Sequence, residues 1–388
     1  MPRLTSVRTR LRRRLRRDEG GVAVLVALLT ATGVLLAGAA LAVDVGQLYA
    51  EREELQSGAD AVALAVAIDC AARRPTECTD PSAAETKYAN GNAKDRLTDV
   101  QEICGSTDVR TGRSLLPRCR GGYPDNLTAC QGRSLPPNTL GYAEVHTRTL
   151  TNDSDRYVLS PTFARAVAGS SAGTTVGACS RVAWGAPMTG LAMTVCERRY
   201  NQATSSSTRY GQAPPTLPST SFEAKFSFNT SGSGGGSGSG TPSCYTGRGD
   251  WWDADGEASW LRPSAATGCQ SSVSSVRTLR NTTPGGCASV LSYAVANRIP
   301  VAVGIYDGQR VGRSGGRYVL KGVAAFVITG YNIKNVGSAP SWLTGTQCLG
   351  TDWCVLGYFT RGVTPMSAWN GQFNSATGLG AVMVKTVG

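Results

Sequence analysis

One histidine, four clustered carboxylates and twelve cysteines are the side chains of this chain best suited to chemistry. His146 lies in YAEVHTRTL, where apolar and polar residues alternate as on a half-buried strand, and a histidine so placed is more often a structural side chain than a general base. No G-x-S-x-G elbow, P-loop or H-E-x-x-H occurs to give it a nucleophile or a metal. Asp250, Asp253, Asp255 and Glu257 form the best metal candidate, and Asp253-Ala254-Asp255-Gly256 has the form of the centre of a calcium loop. An EF-hand needs acidic ligands at its first and twelfth positions, and Trp251 and Arg262 stand there, so the cluster reads as a solvated turn. These patterns assign no catalytic, cofactor-binding or metal-binding residue, and the chain reads as a non-enzyme.

The cysteines are Cys70, Cys78, Cys104, Cys119, Cys130, Cys179, Cys196, Cys244, Cys269, Cys287, Cys348 and Cys354. An even count suits an oxidising compartment, whereas a metal site would show paired short spacings or histidines. The closest pair, Cys348 and Cys354, is separated by five residues, so disulfides are expected. Connectivity stays open beyond two local pairs, Cys70 with Cys78 and Cys348 with Cys354. Trp251, Trp252 and Trp260 are either a contact platform or a plug in the core.

What positions these residues begins with 24 uncharged residues, Gly20 to Val43, directly after a tail with eight arginines. A helix of that length reaches roughly 36 Å, enough for a hydrocarbon core of ~30 Å with some tilt. Arg3, Arg8, Arg10, Arg12, Arg13, Arg14, Arg16 and Arg17 would keep the N-terminus cytoplasmic and meet anionic lipid. The alternative is a cleaved secretory signal with Ala40-Leu41-Ala42 as its small-residue site, releasing a surface adhesion or binding module. Against it, the apolar run is longer than an ordinary signal core, and the sequence after Val43 reads as more helix. Of the formal charge of +12, the tail carries eight arginines against Asp18 and Glu19, so only about +6 is spread over the rest, and no nucleic-acid partner is expected.

From Asp44 to Asp69 the chain has no proline, and Leu41, Leu48, Leu55 and Val62 recur every seven residues beside a row of Val45, Ala59 and Val66. This stripe packs either on the chain's own globular portion or against a neighbouring helix. Asp44 and Asp60 either pair with a neighbouring subunit or mark the lipid boundary and a solvated face. The small-residue start, DVGQLY and LQSGADAVALAVA together resemble the N-terminal segment of TadE/TadG-like Flp (tight adherence) pilus-assembly proteins, of actinobacterial type. The matching positions are Gly21, Val22, Ala23, Asp44, Gly46, Leu55, Gln56, Ala59, Asp60, Ala61, Ala63, Leu64 and Ala65. TVGACSRVAWGAP, IPVAVGIYDG, VLKGVAAFVITGYNI and CVLGYFTRGV resemble the strand-rich exterior portion of such proteins more weakly.

The resemblance implies a bitopic, pseudopilin-like accessory component of Flp/Tad pilus assembly or secretion. Its partners would be membrane lipid, other pilus-assembly proteins or pilin subunits, and copies or neighbours joined through the N-terminal helix. Asp44, Gly46, Leu55, Gln56, Asp60 and Leu64 are the assembly-helix positions it implies. Two departures stand out. Leu25 or Val26 occupies the place of the pilin glutamate, and the Asp-x-Ser-x-Ser motif of a von Willebrand A domain is absent.

The expected class is α+β: a long N-terminal helix followed by a disulfide-rich antiparallel-sheet ectodomain. The segments are a basic tail (1–19), a transmembrane helix (20–43), an extracytoplasmic stalk helix (44–72), a cysteine-containing α+β portion of the ectodomain (73–200), a flexible Ser/Gly/Pro-rich linker or loop (201–243) and a strand-rich portion of the ectodomain (244–388). The linker ends in SGSGGGSGSG, although Phe222, Phe226 and Phe228 are spaced as a short strand. Helices are expected at 83–94, 161–168 and 289–297. Strands are expected at 141–150, 174–184, 190–196, 299–306, 318–329, 353–359 and 381–386, with Asp307-Gly308 as a turn. Whether the portions flanking the linker are two domains or one split fold stays open.

Overall fold

The computed structural model describes residues 19–72, 78, 85–109, 114–120, 130, 134–151, 157–163, 173–205, 210–228, 257–263, 268–273, 276–280, 283–310, 317–350, 352–364, 373–375 and 377–388. The arginine tail, Cys244, the Gly/Ser run, Asp250, Trp251, Trp252, Asp253 and Asp255 lie outside them.

Helix α1 runs unbroken over Glu19–Ala71, 53 residues or about 80 Å at the standard rise. No proline interrupts it, and its residues are mostly alanine, leucine and valine. In its first half every large apolar side chain is exposed, Leu35 and Leu36 by 72% and 71%. The only polar side chains of the uncharged run, Thr30 and Thr32, donate to the carbonyls of Val26 and Leu28 at 2.7 Å, so the helix absorbs its own hydroxyls. From Leu55 onward one face is closed off: Leu55, Ala59, Val62, Ala63, Val66 and Ala67 are each at most 2% exposed.

That face lies on a five-stranded sheet ordered Thr98–Ser106, Gly141–Thr149, Gly177–Gly185, Ala381–Thr386 and Gly362–Val363. Ala143 and Val145 of the second strand, and Val182 and Trp184 of the third, pack directly on the helix. Alanines at 59, 63 and 67 let the backbone lie close to the sheet. The Trp184 ring in turn crosses Gly141, where a Cβ would meet Cζ2 at 2.4 Å.

The second sheet has nine strands, with Pro300–Arg310 and Arg317–Ile333 as its antiparallel centre. Arg317–Ile333 is covered on both faces: Phe326 and Ile328 point into one core with Met193, Phe226, Trp260, Leu291 and Phe359, and Val323 and Ala325 into another with Leu261, Tyr306 and Ala381. The first core is capped by α2 (Glu197–Ala203), through Tyr200, and by α3 (Cys287–Asn297), through Leu291. Phe226, Phe326 and Phe359 meet edge-on or tilted at 5.0–5.7 Å. The class is α+β, and among the described residues the strands pair antiparallel apart from three short parallel pairings.

The two sheets interleave in sequence. The nine-stranded sheet takes Met193–Cys196 from before the Ser/Pro-rich stretch, and the five-stranded sheet takes its Gly362–Val363 and Ala381–Thr386 strands from after it. Strands from both sides of that stretch thus enter both sheets. Ala224–Ser227, inside that stretch, pairs antiparallel with Cys354–Thr360 and buries Phe226 completely.

Several expectations shift. Asp307-Gly308 lies within the strand Pro300–Arg310, at a register irregularity, because the pairing continues to Arg310 opposite Tyr318. The strand Thr98–Ser106 lies where no strand was expected. The helix at 83–94 reduces to a π-turn, Glu85–Ala89, leading into Asn90–Asn92. Pro161–Phe163 bends rather than coils, since Asp44 accepts the backbone N–H groups of Thr162 and Phe163; positions 164–168 lie outside the described residues.

Candidate functional site

The assembly-helix positions divide into two groups. Leu55 is 1% exposed, and its carbonyl accepts the Thr147 hydroxyl at 3.0 Å. Gln56 Nε2 donates to the Cys179 carbonyl at 3.0 Å and to Asp60 Oδ1 at 3.1 Å, which joins α1 to the third strand. Asp44 is 7% exposed; its Oδ1 accepts from the N–H of Thr162 at 2.9 Å and of Phe163 at 3.0 Å. Gly46 and Leu64 face away. A Cβ on Gly46 would meet nothing within 4 Å, and Leu64 is 41% exposed. The heptad stripe beyond Leu48 is thus consumed by the chain's own sheet: Leu48 itself packs against Leu55, Val176 and Ala178. This resolves one alternative left open by the periodicity, and the helix is no free stalk.

On the opposite face of the five-stranded sheet lies a buried ionic group. Glu144 sits opposite Arg181 in register, and its Oε2 accepts from Arg181 Nε at 2.6 Å and Nη2 at 2.5 Å. Its Oε1 accepts from His146 Nε2 at 2.8 Å, with His146 fully buried. Burial pushes the Glu144 carboxyl upward, but the His146 hydrogen bond and the Arg181 charge outweigh it and hold the group below the usual carboxylate range. On α1, Glu51 goes the other way: burial raises it, assisted by Asp95 and Glu54 and only partly offset by the Thr149 hydroxyl. Three groupings bring cysteine, glutamate and histidine atoms within ligand range, drawing on Glu102, Cys104, Cys119, Cys130, Glu144, His146 and Cys179. Each contains at least one half-cystine, Cys104 being bonded to Cys119 and Cys130 to Cys179, and a disulfide sulfur has no thiolate to offer a metal.

The remaining described disulfides are Cys70–Cys78, Cys269–Cys287 and Cys348–Cys354, and Cys196 is also disulfide-bonded. Glu257, expected in a solvated acidic turn, is 8% exposed: it pairs with Arg199 at 2.9 Å and accepts from Ser227 N–H at 3.1 Å. Trp260 is a core plug, stacked on Phe228 at 4.9 Å.

A cavity of about 350 Å³ opens between the C-terminal end of α1 and the two sheets, lined among others by Asp108, Trp184, Tyr200, Tyr210 and Arg361. The Tyr200 and Tyr210 hydroxyls bond to each other at 2.5 Å, and Tyr200 also donates to the Leu379 carbonyl at 3.1 Å. Burial, then the Tyr210 hydroxyl, pushes the Tyr200 phenol far above its ordinary value, so it stays a neutral hydrogen-bonding group. No local pattern along the chain announces this cavity, the meeting of Thr162 and Phe163 with Asp44 or the Glu144–Arg181 pair. Each depends on partners far apart in the chain.

Residues 20–72 match the family model described as "Putative Flp pilus-assembly TadE/G-like". No curated protein and no solved structure matches the chain. The matched residues coincide with α1, from the uncharged run to the last turn buried on the sheet, so it is this helix that is similar to the TadE/G-like family model.

Proposed function

We propose that the protein is a single-pass membrane component of Flp/Tad pilus assembly or secretion that works by binding and positioning other proteins and carries out no bond chemistry. The basic tail lies in the cytoplasm, Gly20–Val43 crosses the membrane, and the disulfide-bonded ectodomain lies outside, where it meets pilin subunits or other assembly proteins. The observation that carries this reading is the coincidence of the TadE/G-like match with one continuous helix, exposed and uncharged in its first half and locked into a folded ectodomain in its second. The outward-facing Gly46 and Leu64 leave a side of α1 for a neighbouring subunit. The buried state of Glu144 and His146, tied to Arg181, supports a structural role for the one histidine.

Cell fractionation, protease protection and N-terminal sequencing of the native polypeptide test the reading. The expected result is a membrane-bound chain with its arginine tail intact and its ectodomain open to protease from outside. A soluble polypeptide beginning at Val43 would instead favour a released adhesion module. Site-specific photocrosslinking from position 64 is expected to capture an assembly component, and loss of the protein is expected to abolish pili.

A further inference from the structure

Asp44 is the first residue after the uncharged run, and its carboxylate is committed to a segment 118 residues away. Beyond the two Oδ1 contacts, Oδ2 accepts again from Phe163 N–H at 3.2 Å, and the Thr162 hydroxyl donates to Gln47 Oε1 at 3.1 Å. The other end of this strap, Tyr157–Phe163, is equally fixed. Leu159 and Thr174 exchange backbone hydrogen bonds at 3.0 and 3.1 Å, Thr175 donates its hydroxyl to the Tyr157 carbonyl at 2.8 Å, and the Arg148 guanidinium lies 3.7 Å over the Tyr157 ring. The strap is thus held at the level of the first helical turn beyond Val43.

Its tip is nevertheless apolar and open. Phe163 is 46% exposed although its backbone is doubly tethered, and Val43, the last residue of the uncharged run and the neighbour of Asp44, is 45% exposed. In water an ordered strap that displays a phenylalanine gains nothing from it. At the depth where an apolar span ends, the same ring meets the acyl and headgroup boundary, where aromatic side chains are favoured. What covers this patch follows from its continuity with the span, so the occupant is lipid.

We propose that the strap Tyr157–Phe163 is a second membrane contact, with the Phe163 ring seated in the outer-leaflet interface and Asp44 holding it there. The ectodomain then rests on the bilayer at two points, the span and the strap, which fixes how it faces its neighbours. This inference rests on α1 spanning the membrane, and the test separates the two.

The full chain is reconstituted in phosphatidylcholine nanodiscs with or without lipid carrying a doxyl quencher near the headgroup, and the emission added over the native tryptophans is read for Phe163→Trp and, as a span control, Leu29→Trp with a quencher deep in the acyl chain. Both added emissions are expected to be largely quenched. Adding Asp44→Ala to Phe163→Trp is expected to restore most of the lost emission. Quenching at position 29 without quenching at 163 overturns the proposal and leaves the span standing; quenching at neither overturns both. Quenching at 163 that persists with Asp44→Ala overturns the role given to Asp44, provided the ectodomain still melts cooperatively.

Discussion

The two halves of α1 share one backbone geometry and differ in what surrounds their side chains. Between Val22 and Leu41 the large apolar residues touch no other part of the described chain, whereas between Leu55 and Cys70 every third or fourth residue is sealed against the five-stranded sheet. Alanine is frequent in both halves, but beyond Leu55 the sealed face is built of Ala59, Val62, Ala63, Val66 and Ala67, because a helix lying on a twisted sheet needs small side chains at its closest approach, a fit that the exposed half is not held to. The two halves of one helix thus have different surroundings, and its stability should answer to substitution differently on either side of Asp44.

The largest contrast comes from deleting a leucine in each half. Leu55→Ala should destabilise the ectodomain by about 2–5 kcal/mol, since it opens a cavity beside Val176 and Ala178. Leu36→Ala, at a position 71% exposed, should leave the ectodomain melting temperature unchanged. Thermal unfolding of the full chain in detergent, followed by near-ultraviolet circular dichroism, measures both. Equal losses would mean that the first half also packs on protein.

Neighbouring positions on the second half sharpen the same point. Ala63 is fully buried and Leu64 is 41% exposed. Ala63→Leu should cost about 1–3 kcal/mol by overpacking the helix–sheet seam, while Leu64→Ala should stay within about 0.5 kcal/mol. If Leu64→Ala also stops pilus formation, that face is the one a neighbouring subunit uses.

Two carboxylates, Glu51 on α1 and Glu144 on the far face of the sheet, respond oppositely to pH. The Glu144 group is held below its unfolded value, so the stability it contributes is complete above the ordinary glutamate range and disappears as pH falls through its lowered folded value. Glu51 is raised in the fold, so it binds its proton more tightly there, and the chain loses stability as pH rises from the ordinary glutamate value through the raised one. Glu144→Gln should therefore flatten the acid limb of a stability–pH curve and lower the neutral plateau. Glu51→Gln should raise the plateau. The groups facing Glu144 are His146 and Arg181, and those around Glu51 are Thr149, Glu54 and Asp95, so each variant leaves the other set intact.

How far these features were legible follows from the range of the interactions behind them. The uncharged run, the Leu55–Val62–Val66 stripe and the strands at Gly141, Gly177, Cys354 and Ala381 are local patterns and could be read from the chain. Thr98–Ser106 escaped because TDVQEICGS is polar along most of its length; it is an edge strand with a register irregularity between Val100 and Glu102, and its buried apolar side chains are Ile103, on the helix side, and Cys104, on the side of Glu144. Asp307-Gly308 has turn chemistry, but pairing of its flanks draws it into a strand. Asp44 and Glu144 were visible as charges and illegible as sites, because their partners are set by how strands align and not by spacing.

The smallest effect tests which side of the comparison Gln56 belongs to. Its amide bonds the Cys179 carbonyl and the Asp60 carboxylate, and it sits at a half-buried position between the sealed and the open faces. As a clasp between helix and sheet, Gln56→Ala should cost about 1 kcal/mol, the net worth of one such hydrogen bond, and should affect assembly only in proportion to that loss. Asp60→Asn keeps an acceptor for the same amide and should change the melt less. The opposite pattern, an unmoved melt with pili abolished, would reassign Gln56 from the internal clasp to a contact with a neighbouring subunit, and the boundary between the two faces of α1 would have to be redrawn one residue closer to Leu55.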